Sequence, residues 1–151
     1  MVDYHDHGKM GFLYGEGTFG FNGYTFEIHG VLNEKNELVG LKTTEAQSLD
    51  EAGLIYSCTG QEFVEAYKID DWNTARLRVT GTDPHVTAWI NDLKICEFDG
   101  PTTTNQKYAQ NREEIVKLIG QPGSIAVQVH AGKDWPKGAK CRWKNIKVKP
   151  L

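Results

Sequence analysis

The chain has 151 residues and a net charge of −3, with 39% hydrophobic and 25% charged residues. This composition supplies one hydrophobic core and is too apolar for a disordered tail. The balanced charge argues against a nucleic-acid-binding surface, and no apolar run approaches the roughly 20 residues of a membrane helix. We therefore expect one domain over residues 1–151, with no nucleic-acid and no membrane partner.

The first predicted strand covers residues 23–29, where apolar and polar residues alternate. A period of two is typical of a strand with one face toward a core. Glu27 and His29 are therefore expected on the polar face. The residues expected to face the core are Tyr24, Phe26 and Ile28.

Three further strands are predicted over residues 73–80, 85–91 and 93–98. The sequence Gly-Thr-Asp-Pro at 81–84 has the composition of a hairpin turn, and Asn91 and Asp92 form a second tight turn. Trp72 is expected to anchor the core where this run begins, while Arg76, Arg78 and Trp89 have the parity of a polar face. The residues expected to point inward are Ala75, Leu77, Val79, Val86, Ala88 and Ile90.

Only one helix is predicted, over residues 105–119, with Asn105 as its N-cap. Gly120 and Pro122 are expected to end it. A strand over 124–130 follows, in which Ile125 and Val127 point inward while Gln128 and His130 lie on the polar face. The last strand changes parity after Trp143, which predicts a β-bulge near residues 144–145.

The three cysteines, Cys58, Cys96 and Cys141, cannot all pair within one chain. Their spacing matches no metal motif. They are interpreted as small core residues, or as one disulfide plus one thiol. The sequence also lacks a phosphate-binding loop and a nucleophile elbow, and we predict no cofactor and no metal. The predicted fold is an all-β antiparallel sandwich or jelly roll with one short helix.

Four sequence blocks, in this order and spacing, resemble the 3-keto-disaccharide hydrolase family. The resemblance implies a concanavalin A-like jelly-roll β-sandwich that lacks the family's N-terminal strands, so a homo-oligomer or an exposed sheet edge is expected. It also implies a bacterial protein that is periplasmic or secreted, although residues 1–9 contain no signal-peptide core. The blocks are Gly23-Tyr24-Thr25-Phe26-Glu27, Gly53-Leu54-Ile55-Tyr56, Asp71-Trp72-Asn73 running to Trp89-Ile90-Asn91, and Gly123 to His130 closed by Arg142-Trp143-Lys144-Asn145-Ile146.

The resemblance implies a carbohydrate substrate: a glycoside whose C3 hydroxyl has been oxidised to a ketone. Such glycosides are cleaved by elimination, followed by addition of water. Glu27 and His130 are the predicted proton-handling pair, because a carboxylate and an imidazole facing a cleft suit acid–base work. Glu27 stands where the family has Gln, and Thr25 where it has Glu. The predicted substrate-binding residues are Gln128, His29, Trp135 and Trp89.

A non-catalytic, lectin-like carbohydrate-binding module on the same face is the alternative interpretation. The substituted family residues at positions 25 and 27 favour it. A retaining mechanism with two carboxylates is not expected, because the sequence from Glu27 to Leu32 lacks the partner carboxylates that such a glycosidase needs.

Overall fold

The computed structural model describes residues 25–35, 37–118, 125, 127 and 142–151. Within these ranges the chain forms antiparallel sheets with short helices, so the predicted all-β class is confirmed, while the jelly-roll connectivity stays a prediction. The strands are β1 (Phe26–Leu32), β2 (Leu38–Glu45), β3 (Tyr56–Ser57), β4 (Ala75–Thr80), β5 (His85–Ile90) and β6 (Leu93–Asp99). The helices are α1 (Leu49–Ala52), α2 (Gly60–Ala66) and α3 (Gln106–Leu118).

The strands form two sheets. β1 and β2 make an antiparallel pair, called the hairpin sheet below. The other four strands form the four-stranded sheet in the order β3-β6-β5-β4. In β6, Ile95 is an extra residue, since Ala88 lies opposite Cys96 and Trp89 opposite Lys94. This bulge changes the parity of β6 and puts Lys94 and Glu97 on one face of the sheet.

The hydrophobic core lies between the sheets and the helices. Phe26 and Ile28 from β1 are buried, as predicted. Phe63 of α2 is buried as well, and its ring centroid lies 5.7 Å from that of Phe26 and 5.6 Å from that of Tyr67. The inward residues of β5 are also buried as predicted; they are Val86, Ala88 and Ile90.

The prediction of a single helix is wrong, because α1 and α2 are also present. Each begins with a capping box, in which the hydroxyls of Ser48 and Thr59 accept from the backbone N–H of Glu51 and Glu62. Both glutamates accept in return from the backbone N–H of the cap residue, at 2.8 Å. Helices of 4 and 7 residues are too short to show a 3.6-residue period, so their sequence signals are confined to the ends: the two capping boxes and the Gly53 C-cap of α1.

The predicted helix over residues 105–119 is confirmed as α3, and Asn105 Oδ1 accepts from the backbone N–H of Tyr108 at 2.9 Å. The helix is tied to the predicted turn at 81–84. The Tyr108 hydroxyl donates to Asp83 Oδ1 at 2.6 Å, and Arg112 Nε donates to Asp83 Oδ2 at 2.7 Å. The Gly-Thr-Asp-Pro turn therefore holds the helix as well as reversing the chain.

The predicted burial of the apolar residues of β4 is wrong. The register places Ala75, Leu77 and Val79 opposite the buried residues of β5, on the expected face. All three are nevertheless exposed, Leu77 to 53%, because β4 is the edge strand among the described residues.

The prediction that Trp72 anchors the core is wrong. Its side chain is 44% exposed, and the Lys144 ammonium lies 3.9 Å from its ring centroid.

Two predictions for the C-terminal part of the chain also fail where the structure describes it. Ile125 and Val127 are exposed and do not point into a core. Residues 142–151 form no strand, although Asn145 has a left-handed φ of 56° at the position of the predicted bulge. Tyr24 and Cys141 lie outside the described residues.

Cys58 and Cys96 are buried free thiols, which agrees with their interpretation as small core residues. Burial raises the pKa of each thiol to about 12. A thiolate is the reactive form of cysteine, so neither side chain is expected to react in the folded protein.

Alkylation tests this inertness. In a Cys141→Ser background, iodoacetamide at pH 8 should leave Cys58 and Cys96 unmodified, and the same treatment in denaturant should modify both. Intact-mass spectrometry measures the outcome. Rapid modification in native buffer would mean that the two thiols are accessible and would contradict the described burial.

Phe63→Ala should lower the free energy of unfolding by about 3–5 kcal/mol, because it removes a buried ring that contacts two other rings. Urea unfolding followed by tryptophan fluorescence measures the change. Val39→Ala in the exposed part of β2 is the control and should change stability by less than about 0.5 kcal/mol. Equal effects of the two variants would contradict the placement of the core.

Candidate functional site

The polar side of the hairpin sheet carries four side chains that the register brings together: Glu27 and His29 from β1, and Lys42 and Thr44 from β2. We call this surface the Glu27 face. Glu27 lies directly opposite Thr44, and His29 directly opposite Lys42. Their parity follows from the burial of Phe26 and Ile28 on the other side of β1. Directly opposite residues in an antiparallel pair have Cβ atoms about 4.5–5.5 Å apart, so the four side chains form one patch.

His29 connects the two strands of this face. Its Nε2 lies 3.0 Å from Thr44 Oγ1 and 3.6 Å from Glu27 Oε2. The side chains of His29 and Glu27 are 28% and 38% exposed, so both are supported by their neighbours and open to solvent. A carboxylate that can take up a proton therefore stands beside an imidazole that can exchange one.

Of the other predicted site residues, the structure describes only Trp89. Trp89 belongs to β5 in the four-stranded sheet, directly opposite Arg76. The Arg76 guanidinium lies 3.9 Å from the centroid of its ring and covers one side of it. Gln128, His130 and Trp135 lie outside the described residues. The expectation that Gln128 and His130 share a face with Glu27 therefore stays a prediction.

A second polar cluster, the His85 cluster, lies on the outer face of the four-stranded sheet and was missed in the sequence. His85 Nε2 lies 2.8 Å from Glu97 Oε1, and its Nδ1 lies 3.3 Å from Asp99 Oδ1. Lys94 Nζ donates to Glu97 Oε2 at 2.8 Å and sits 4.1 Å from the ring centroid of Tyr56. Strict alternation along β6 would put Lys94 and Glu97 on opposite faces of the sheet. The bulge at Ile95 shifts the register and brings both side chains to the same face.

The groups of the His85 cluster satisfy one another. The hydrogen bond from Lys94 is the largest of the effects that lower the pKa of Glu97, and His85 adds to it. The pKa of Asp99 is lowered mainly by its hydrogen bond from the Thr102 hydroxyl, again with a contribution from His85. Carboxylates only accept hydrogen bonds: Glu97 accepts from Lys94 Nζ and Asp99 from the Thr102 hydroxyl, and each also lies within hydrogen-bond distance of one ring nitrogen of His85. The cluster is thus a polar network that connects β5 with β6.

Neither cluster provides a metal site in the part of the chain that the structure describes. No group of three or more His, Cys, Asp or Glu side chains there is arranged to hold an ion. Over the same residues, no helix has the length and the apolar character needed to cross a membrane.

The chain belongs to the family of the 3-keto-alpha-glucoside-1,2-lyase-like domain. The family model matches residues 3–149, nearly the whole sequence, and confirms the resemblance seen in the sequence blocks. A comparison with curated proteins gives no match, and neither does a comparison with solved structures.

The His85 cluster should make part of the stability of the protein depend on pH. The pKa of Glu97 is lowered from its ordinary value of 4.5, so its contribution is present above that value and is lost as the pH falls through the lower, folded-state pKa. The difference in free energy of unfolding between the wild type and Glu97→Gln should therefore shrink below about pH 4.5.

Urea titrations at several pH values between 7 and 3 measure this difference. Glu34→Gln, in the exposed turn between β1 and β2, controls for the loss of one surface carboxylate. A wild-type advantage over Glu97→Gln that is constant over the whole range would contradict the ionic role of Glu97.

Proposed function

We propose that the protein cleaves 3-keto-glycosides by elimination across C1 and C2 of the sugar, with Glu27 as the base and His130 as the acid. Membership of the family supports the reaction, since its description names a 3-keto-alpha-glucoside and a 1,2-lyase. The observation that carries the assignment of the base is the position of Glu27 beside His29 on an accessible sheet face.

The ketone at C3 makes this chemistry accessible to ordinary side chains. It acidifies the proton on C2, which a carboxylate can then remove. The electrons of the broken C2–H bond form an enolate, and its collapse creates the C1–C2 double bond as the bond from C1 to the aglycone oxygen breaks. The acid protonates that oxygen, and water then adds across the double bond. General acid–base groups suffice for each proton transfer.

Glu27 is suited to the base because it can accept a proton, which the glutamine of the family pattern cannot. Its side chain is half-buried at the solvent boundary, and the His29 ring beside it is fixed by Thr44. His29 therefore has a defined position from which to bind a sugar hydroxyl. A positioned general base contributes about 10²–10⁴-fold to a rate, and this position is where we expect that contribution.

In this proposal the sugar is bound by Gln128, Trp135 and Trp89. Gln128 offers both a donor and an acceptor to sugar hydroxyls, and Trp135 offers a ring for stacking. Trp89 carries Arg76 on one side of its ring, so a pyranose would stack on the other side or displace the guanidinium. A homo-oligomer stays a further expectation of this proposal.

A lectin-like module without catalysis is the second candidate, and Thr25 favours it. Thr25 stands where the family pattern has Glu, and its Oγ1 donates to the hydroxyl of Ser57 at 3.2 Å. The position of a family carboxylate is thus occupied by a side chain with a structural hydrogen bond. Binding of sugar without turnover is the result that this candidate predicts.

Two variants assayed on a nitrophenyl 3-keto-glucoside test the assignment. Glu27→Gln should reduce kcat by about 10²–10⁴-fold because it removes the base, while substrate binding persists. His130→Ala should slow release of the aglycone. Glu45→Gln, at the exposed end of β2, is the matched control and should retain full activity.

Two other results would contradict the assignment. If Glu27→Gln retains or exceeds the wild-type rate, the base is His130 and Glu27 is a binding residue. If the wild type binds the sugar without releasing nitrophenol, the enzyme assignment fails and the binding module stands.

A further inference from the structure

We propose that Lys42 is a further catalytic residue of this reaction, whose ammonium stabilises the enolate oxygen formed at C3. The inference rests on the proposed elimination and adds the one chemical role that the proton-handling pair leaves unfilled. It arises from the register of β1 and β2, which places Lys42 on the same surface as Glu27 and His29.

The reaction needs such a group because removal of the C2 proton puts negative charge on the C3 oxygen. A base and an acid move protons, but neither offsets that charge while it exists. Preorganised cations or hydrogen-bond donors at a developing oxyanion are commonly the largest single contribution to catalysis. A complete site for this elimination therefore includes a cation or a hydrogen-bond donor within reach of the carbonyl oxygen, next to the base.

The strand pairing puts Lys42 in that place. It lies directly opposite His29, and Glu27 is its diagonal neighbour, since Glu27 pairs with Thr44. Diagonal neighbours in an antiparallel pair are about 7–8 Å apart, a span that a lysine stem can cross. The C3 oxygen is bonded to the carbon next to C2, and the proton that the base removes is on C2. One sugar ring over this face can therefore meet both the Glu27 carboxylate and the Lys42 ammonium.

The Lys42 ammonium is also available to a substrate. The side chain is exposed, and it forms no hydrogen bond or ion pair within the ranges that the structure describes. Lys94 provides the contrast, because its ammonium is already bound to Glu97 and lies over the ring of Tyr56. Lys94 could bind a ketone oxygen only by giving up its ion pair with Glu97, whereas Lys42 has no ion pair to give up within the described ranges.

In the resulting step, Glu27 takes the C2 proton and the electron pair moves onto the C3 oxygen, where Lys42 stabilises the charge without transferring its own proton. Collapse of the enolate restores the C3 carbonyl, forms the C1–C2 double bond and expels the aglycone. The aglycone oxygen receives its proton from the general acid of the proposed function. No oxidant or reductant is consumed.

Two measurements test this role. The first is exchange of the C2 hydrogen of methyl 3-keto-glucoside for deuterium in D₂O, which reports proton removal without requiring cleavage. The second is release of nitrophenol from a nitrophenyl 3-keto-glucoside. Lys42→Met should lower both rates by about 10²–10³-fold, the usual cost of removing an oxyanion-stabilising group. Lys42→Arg, which keeps the charge, should recover part of each rate.

Two matched controls separate catalysis from loss of charge and from loss of fold. Lys35→Met removes one positive charge from the exposed turn of the same hairpin and should keep both rates. Lys94→Met should lower the melting temperature through the His85 cluster while kcat stays at the wild-type value. The melting temperature of Lys42→Met should equal that of the wild type.

Each outcome decides the proposal. If the wild type is active and Lys42→Met matches it, the role of Lys42 is overturned while the proposed function stands. If the wild type exchanges the C2 hydrogen without cleaving, and Lys42→Met does not exchange it, Lys42 keeps its role and the cleavage fails. If the wild type neither exchanges nor cleaves, both are overturned.

Discussion

The antiparallel register of β1 against β2 is the constraint on which the site depends. Because side chains alternate between the two faces of a strand, burial of Phe26 and Ile28 forces Glu27 and His29 outward. The pairing then fixes Thr44 and Lys42 as their neighbours. A slip of one residue would turn Glu27 into the core and Phe26 into solvent, so the hydrophobic core and the chemistry of the Glu27 face are specified by the same pairing.

The two polar surfaces differ in how far their groups are already satisfied. In the His85 cluster, Lys94 is paired with Glu97, and the His85 ring on β5 contacts Glu97 and Asp99 on β6, which suits a structural role. On the Glu27 face the imidazole is oriented by Thr44, and the opposite lysine has no partner among the residues that the structure describes. A site that binds and transforms a ligand needs a group with unused capacity, and the exposed ammonium of Lys42 is such a group on the hairpin sheet.

Local sequence patterns predicted the elements that have a local signature: β1, β4, β5, β6, the turns at 81–84 and 91–92, and α3. They could not predict what depends on neighbours. Leu77 has the parity of a core residue but is exposed at the edge strand β4, which only the strand order reveals. The Lys94–Glu97 pair exists because Ile95 forms a bulge, a tertiary feature without a local signature. For the site, the sequence identified Glu27 and His29, but Lys42 emerges only from the pairing of β2 with β1.

The central claim is that the chain removes the C2 proton of a 3-keto-glycoside at the Glu27 face. The most direct test is to let the protein cleave a nitrophenyl 3-keto-glucoside in D₂O and to determine by NMR, at early times, the isotope at C2 of the sugar released. Elimination followed by addition of water predicts deuterium at C2, and predicts that Glu27→Gln loses this labelling together with cleavage. Release of a sugar that retains its original hydrogen at C2 would show direct hydrolysis and contradict the account.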